Sequence, residues 1–158
     1  MEELTIQERL VGRLKELNLK ISFAESCTGG LAAAGIVDVS GASEIFYGSV
    51  VTYDNSIKAD LIGVSWDVLN SVGPVSHECA KQMASGVRNK IGSDIALSLT
   101  GIAGPGGAEP GKPVGTVYIG YADKSHIDSI VVHLNGNRTE IELSVAKGLL
   151  TSNCYQVL

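Results

Sequence analysis

The sequence predicts an α/β fold, a single-domain sandwich in which helices flank a mixed β-sheet. Strand-like apolar runs alternate with helical patterns through the first two thirds of the chain, and two strand-like runs with a polar turn follow. The chain has 158 residues, of which 44% are hydrophobic and 18% charged, enough for one folded core. Neither a repeat nor a linker divides it. We therefore predict one domain over residues 1–158.

The first half of the chain begins with an amphipathic helix over 3–17, where apolar residues recur at helical spacing, and Asn18 is a typical stop. A short buried strand, Ile21–Ala24, leads through a turn into a helix of small residues, Leu31–Val37. One more strand and two short helices are then predicted, over 46–52, 57–62 and 66–71.

In the second half, Ser76 is the predicted N-cap of a helix over 78–90. A buried strand over 95–99 is followed by a glycine- and proline-rich loop, 100–113, which is longer than a simple connection requires. The remaining predicted elements are a hairpin and an amphipathic helix, over 114–121, 129–134 and 139–154.

Composition and charge exclude several classes of function. The net charge is −5 and no basic block occurs, so we expect no nucleic-acid partner. No apolar run is long enough to span a bilayer, and the start of the chain does not resemble a secretory signal, so we expect no membrane partner. These features predict a cytoplasmic protein.

The cysteines indicate a reducing compartment. Cys27, Cys79 and Cys154 are odd in number, widely spaced and without a CxxC pair, which argues against a disulfide scaffold or a zinc–thiolate site. The three histidines include no HExxH pair, and no set of histidines, cysteines and carboxylates has ligand spacing. We therefore predict no metal site and no cofactor.

The central stretch of the sequence is the turn between the first predicted strand and the helix that follows it. It holds a carboxylate, three small side chains with nucleophile-capable atoms, and two glycines, in the order Glu25, Ser26, Cys27, Thr28, Gly29, Gly30. A strand that turns into a helix N-terminus directs backbone N–H groups to one point, which suits an anion or an oxyanion. The alternative is a helix cap without further function.

A second cluster, Tyr53 to Lys58, follows the strand over 46–52. If Asn55 caps the next helix, Lys58 lies in its first turn, where the helix dipole disfavours a cation. Burial would lower the lysine pKa further, and the neutral amine could then act as a general base toward a serine. The alternatives are a surface lysine and an ordinary strand-end aromatic at Tyr53.

Two more clusters could bind a phosphate. The run Thr100–Gly107 follows a buried strand, and its glycines free backbone N–H groups, although it is neither a Walker A loop nor a GxGxxG motif. Arg138 precedes the last predicted helix, and arginine makes bidentate contacts with phosphate. The alternatives are a flexible loop and an exposed helix start.

Taken together, these motifs resemble the C-terminal domain of the competence/damage-inducible protein CinA. The segments that carry the resemblance are AESCTGGL at 24–31, VVTYDNSIKADLIGV at 50–64, GPVS at 73–76, SLTGIAGPGG at 98–107 and KPVGTVYIGYA at 112–122. The likeness extends roughly from residue 5 to residue 150 and is closest to the stand-alone form of the domain. It implies a nicotinamide-nucleotide amidohydrolase, which converts nicotinamide mononucleotide to nicotinate mononucleotide and ammonia.

The resemblance also implies roles for individual residues. Ser26 and Lys58 would form the catalytic pair, with Tyr53 nearby to pass on a proton. The residues expected to bind the small-molecule nucleotide are Glu25, Thr28, Gly29, Gly30, Thr100, Gly101, Gly104, Gly106 and Arg138, and the turn at 28–30 is expected to supply the oxyanion donors. The sequence departs from the family pattern at His77-Glu78 and at Asn137, next to Arg138.

Two other interpretations stay open at this point. Cys27 is adjacent to Ser26 and could be the nucleophile instead, although neighbouring side chains at a strand end point to opposite sides. The domain could also be a regulatory module that binds a nucleotide without turnover, with Lys58 charged. The sequence is compatible with a homodimer.

Overall fold

The computed structural model describes residues 3–148, which form a five-stranded sheet with helices on both faces. The strands are β1 (Ile21–Glu25), β2 (Phe46–Val51), β3 (Ile95–Gly101), β4 (Thr116–Ala122) and β5 (Ile127–His133). Their order is β2-β1-β3-β4-β5; β1 is parallel to β2 and β3, whereas β4 is antiparallel to both of its neighbours. The prediction of an α/β fold with a mixed sheet is confirmed.

The helices divide into two groups, one on each face of the sheet. They are α1 (Ile6–Leu17), α2 (Leu31–Val37), α3 (Asn55–Ile62), α4 (Trp66–Ser71), α5 (His77–Ile91) and α6 (Arg138–Gly148). Helices α1, α2 and α6 share the larger core cluster with Phe23, and helices α3 to α5 share the smaller one with Ala24. Successive residues of β1 thus face opposite layers, as strand geometry requires. No helix among residues 3–148 is long and apolar enough to cross a membrane.

Most predicted elements occur with shifted ends, and the caps explain the shifts. Helix α1 begins at Ile6 rather than at residue 3 because Thr5 and Glu8 form a reciprocal capping box. Helix α3 begins at Asn55 because Asp54, and not Asn55, is the N-cap; its Oδ1 accepts the Ser56 N–H at 2.9 Å. Residues 149–154 of the predicted last helix lie outside the described residues.

Strand β3 is two residues longer than predicted. Thr100 and Gly101 pair with Tyr118 and Val117 of β4, so the strand continues into what was expected to be loop. The strand–loop boundary was misplaced because a glycine-rich composition predicts a turn, whereas here a neighbouring strand provides the hydrogen bonds.

The sheet brings three strand ends to one edge. Glu25, the last residue of β1, pairs with Val51 of β2 and with Leu99 of β3, so the carboxyl ends of these parallel strands lie side by side. Helix α3 is held at this edge by close packing on α5. The two helices approach so closely that a Cβ on Gly86 of α5 would collide with the carbonyl oxygen of Ile62 in α3. This edge of an open α/β sheet is the usual place for a ligand site.

Candidate active site

The turn after β1 is held by a buried carboxylate. The Glu25 side chain is fully buried and accepts four hydrogen bonds, two of them from hydroxyls: Thr28 Oγ1 at 2.8 Å and Ser49 Oγ at 2.6 Å. The other two come from the backbone N–H groups of Ala32 at 2.8 Å and Ala33 at 3.2 Å, in the first turn of α2. Glu25 therefore neutralises the helix N-terminus that we expected to be available to a ligand.

The two glycines of the turn are required by its backbone conformation. Gly29 and Gly30 have φ of 58° and 108°, in the left-handed region that other residues rarely adopt. Gly30 is the N-cap residue of α2, and the Gly29 N–H donates to the Ser26 carbonyl at 3.2 Å. The chain can thus reverse direction within four residues and leave Ser26 at the strand end.

Lys58 of α3 contacts Ser26 directly. Its Nζ lies 3.0 Å from Ser26 Oγ and 2.8 Å from the carbonyl oxygens of both Thr52 and Tyr53. The Lys58 residue is only 1% exposed. Because the Lys58 N–H donates to the Asp54 carbonyl, the residue closes the first turn of α3, and its side chain reaches back toward the helix N-terminus.

The three contacts of Lys58 Nζ are compatible with a neutral amine. In the neutral form, two N–H bonds point at the two carbonyls and the lone pair faces the Ser26 hydroxyl. Burial lowers the pKa of Lys58 below its ordinary value of about 10.5, against the opposing influence of Cys79 and Asp54. The pKa shift thus favours the neutral amine, as the sequence predicted.

The side chain of Tyr53 points elsewhere than expected. Its hydroxyl accepts a hydrogen bond from Arg138 Nη2 at 3.0 Å, and the ring is largely exposed. Only its backbone carbonyl contacts Lys58. The described contacts place that hydroxyl against Arg138 rather than Lys58, and the expectation that the phenol relays a proton stays a prediction.

Arg138 joins three parts of the structure at this edge. Besides Tyr53, its guanidinium donates to the Gly104 carbonyl at 2.7 Å and pairs with Glu142 at 3.0 Å. The side chain is 47% exposed. A guanidinium fixed in this way is preorganised for an oxygen anion, since it has further N–H bonds to offer.

Ser26 and Lys58 line a cavity of about 260 Å³, just below the range of about 300–1,000 Å³ that is usual for small-molecule sites. Its walls come from the ends of β1 and β3, the start of α3, the loop after β3 and the start of α6. The predicted site residues that line it are Ser26, Tyr53, Lys58, Thr100, Gly101, Gly104, Gly106 and Arg138.

Four other predicted site residues do not line the cavity. Glu25, Thr28, Gly29 and Gly30 build the turn instead. We expected all four to contact the nucleotide. For Glu25 and Thr28 this is corrected, because the carboxylate of Glu25 is occupied by protein donors and Thr28 is 2% exposed with its hydroxyl committed to Glu25. For Gly29 and Gly30 it stays a prediction. Their observed role is to hold Ser26 in place.

Comparisons with known proteins identify the family. The family model described as the CinA C-terminal domain matches residues 3–152. The chain belongs to the CinA C-terminal domain family. A CinA-like protein from Dictyoglomus thermophilum is 47% identical over 141 residues, which cover 89% of this chain and 34% of that protein. The chain therefore spans about a third of the length of the curated relatives it matches.

Solved structures agree with this assignment. A CinA superfamily protein from Escherichia coli superposes with a TM-score of 0.91 at 28% identity, covering 97% of this chain and 88% of that one. A competence/damage inducible protein from Agrobacterium tumefaciens has a TM-score of 0.87 at 34% identity, with 94% and 95% covered. The resemblance inferred from the motifs is thus confirmed at the level of the family.

The cavity of this chain is also lined by residues that we did not single out as site residues. Asn55, Pro74, Val75 and Glu109 are among them. Asn55 could have been found, because it lies three residues before Lys58 and so shares its helix face. The sequence around Glu109 did not indicate that this residue lines the cavity, because the shape of the loop between β3 and β4 determines where its side chain lies.

Cys27 also lines the cavity beside Ser26, but its side chain belongs to the larger core cluster, whereas the Ser26 hydroxyl contacts Lys58 on the other face of the sheet, in agreement with the expectation that the two side chains point to opposite sides. The thiol is nevertheless a poor nucleophile. It is 8% exposed and belongs to the larger core cluster, and burial raises its pKa to about 12. None of its described hydrogen bonds involves Lys58. The side chain that contacts Lys58 Nζ at this strand end is thus the Ser26 hydroxyl.

Proposed function

We propose that this domain hydrolyses the carboxamide of nicotinamide mononucleotide and releases nicotinate mononucleotide and ammonia. The observation that carries the proposal is the 3.0 Å contact between Lys58 Nζ and Ser26 Oγ in a cavity of small-molecule size. Membership of the CinA C-terminal domain family supports the same activity. A buried amine poised on a serine hydroxyl is the arrangement that activates a serine nucleophile.

The reaction begins when neutral Lys58 takes the proton of Ser26. Oγ then forms a bond to the carboxamide carbon, and the carbonyl oxygen takes up the negative charge. When the tetrahedral intermediate collapses, the C–N bond breaks and the Lys58 ammonium gives its proton to the departing nitrogen. Water, deprotonated in turn by Lys58, hydrolyses the ester and restores Ser26.

The oxyanion needs a backbone donor close to the nucleophile. We expected donors from residues 28–30, but neither Thr28 nor Gly30 lines the cavity. The N–H of Cys27 is the better candidate, because the residue lines the cavity and this N–H donates to no carbonyl in the described backbone hydrogen bonds. The N–H of the residue after the nucleophile fills this role in other serine hydrolases.

The phosphate end of the substrate is assigned to Arg138. Its guanidinium lines the same cavity, and its contacts with Gly104 and Tyr53 hold it in one orientation. A phosphate bound there would form charge-assisted hydrogen bonds, which are stronger than neutral ones. The glycine-rich wall from Gly101 to Gly107 lets the ligand approach the backbone closely.

The proposal is tested by incubating the wild-type protein with nicotinamide mononucleotide and measuring both products. Ammonia and nicotinate mononucleotide should appear in equal amounts, and the rate should be proportional to enzyme concentration. If the protein binds the nucleotide in calorimetry yet releases no ammonia, the domain is a nucleotide-binding module and the proposed activity is wrong.

A further inference from the structure

We propose that Glu109 determines specificity by binding the ribose hydroxyls of the nucleotide, an inference that rests on the proposed function. Glu109 lies in the loop between β3 and β4 and lines the cavity that holds Ser26 and Lys58. Among the described residues of the cavity wall, it is the carboxylate, and Arg138 is the guanidinium. The cavity therefore presents two oppositely charged groups besides the Ser26–Lys58 pair.

The difference in exposure between the Ser26–Lys58 pair and the two charged side chains indicates which end of the nucleotide enters the cavity first. Ser26 and Lys58 are 8% and 1% exposed, so the reacting carboxamide must reach the floor of the cavity. The side chains of Arg138 and Glu109 are 47% and 53% exposed and lie at its rim. The parts of the ligand farthest from the carboxamide, its ribose and its phosphate, thus meet the rim.

Charge decides which of the two groups meets which part of the ligand. A phosphate beside Glu109 would be repelled, because like charges in contact are unfavourable, whereas Arg138 attracts it. The ribose carries neighbouring hydroxyls, which are hydrogen-bond donors, and an ionised carboxylate is an acceptor with two oxygens. Acidic side chains bind ribose hydroxyls in this way in dinucleotide-binding proteins.

The backbone around Glu109 is held in a defined shape. Glu109 and Lys112 exchange backbone hydrogen bonds of 3.0 and 2.8 Å across a tight turn. The Lys112 ammonium donates to the Val72 carbonyl at 3.0 Å and lies 3.8 Å from the Glu109 carboxylate. This long, half-exposed ion pair restrains the carboxylate and leaves its oxygens available to a ligand.

The test compares two enzymes on two substrates. Wild-type protein and Glu109→Gln are assayed with nicotinamide mononucleotide and with its 2′,3′-dideoxy analogue. On the natural substrate, Glu109→Gln should lower kcat/KM about tenfold, mainly through KM, because a charge-assisted hydrogen bond is weakened. On the dideoxy analogue the two enzymes should be nearly equal. If Glu109→Gln lowers kcat/KM equally on both substrates, or on neither, the assignment is overturned.

Glu16→Gln is the matched control, since Glu16 is also an exposed glutamate in an i,i+3 ion pair, on α1 and outside the cavity. This substitution should leave kcat/KM unchanged on both substrates. The same comparison is made for binding, by calorimetry in a Ser26→Ala background. If the wild type releases no ammonia, the proposed activity fails, and the dissociation constants still decide whether Glu109 recognises the hydroxyls.

Discussion

The Tyr53 hydroxyl lies 3.0 Å from Nη2 of Arg138, so the tyrosine beside the proposed base is bound to the arginine at the rim. This contact joins the second residue after β2 to the first residue of α6. The backbone carbonyl of Tyr53, and not its phenol, contacts Lys58. The side chain of Tyr53 thus contacts Arg138, whereas its main chain contacts Lys58.

Replacing Tyr53 by phenylalanine should therefore change binding more than chemistry. The variant keeps the carbonyl that orients Lys58 and loses the hydroxyl that orients Arg138. We expect KM for nicotinamide mononucleotide to rise by up to about tenfold while kcat changes little. Steady-state kinetics check this. A fall in kcat of about 10²- to 10⁴-fold would instead show that the phenol transfers a proton.

Removing the carboxylate of Glu25 should destabilise the fold. In Glu25→Ala, the N–H groups of buried Ala32 and half-buried Ala33 lose their acceptor. We expect a loss of about 2–5 kcal/mol in the free energy of unfolding, measured by urea denaturation. As a control, Ser65→Ala removes one helix cap and should cost about 1 kcal/mol. Equal stability of the two variants would contradict the role given to Glu25.

Cys27 should be dispensable for the chemical step. Burial raises its pKa to about 12, so the thiol stays protonated near neutral pH, and the hydrogen bonds described for Lys58 Nζ go to Ser26, Thr52 and Tyr53. We expect Cys27→Ala to keep most of the wild-type rate of ammonia release. A variant that folds, binds the nucleotide and is inactive would make Cys27 the nucleophile.

The pH dependence of the reaction should report the ionisation of Lys58. The base must be unprotonated, so kcat/KM should rise with pH and level off above the pKa of Lys58, which burial places below about 10.5. Lys58→Arg should be nearly as damaging as Lys58→Ala, because a guanidinium stays protonated. The exposed control Lys90→Arg should change neither the rate nor the profile.

Substantial turnover by Lys58→Arg would show that position 58 needs only a positive charge, and the general-base role would be wrong. A profile of kcat/KM that is flat, or that falls as pH rises through the alkaline range, would contradict it equally. Both Lys58 variants should still bind the nucleotide, since the phosphate is assigned to Arg138.

The alternation of strands and helices could be predicted from the sequence patterns, whereas the pairing of Ser26 with Lys58 was implied by the family resemblance and is supported by their 3.0 Å contact. Ser26 follows the buried strand β1 and Lys58 follows its parallel neighbour β2, which is only partly buried, and such strands end at one edge of a sheet. The position of Lys58 in the first turn of a short helix also indicated a lowered pKa, which the structure bears out by burying the side chain.

The role of Glu25 could not be predicted because its partners are distant in the sequence. Ser49 lies 24 residues away and belongs to another strand, and the two N–H donors belong to the helix after the turn. A carboxylate beside a nucleophile therefore looked like a ligand-binding group. The direction of the Tyr53 side chain was hidden for the same reason, since Arg138 is 85 residues away.

The rate of ammonia release by Ser26→Ala tests the central claim most directly. Ser26 lies at the turn after β1, and the substitution removes only Oγ, so the variant should fold and bind nicotinamide mononucleotide in calorimetry. The account predicts that kcat falls by several orders of magnitude, while Ser125→Ala, at an exposed turn, matches the wild type. A Ser26→Ala variant that hydrolyses the nucleotide at a near wild-type rate would contradict it.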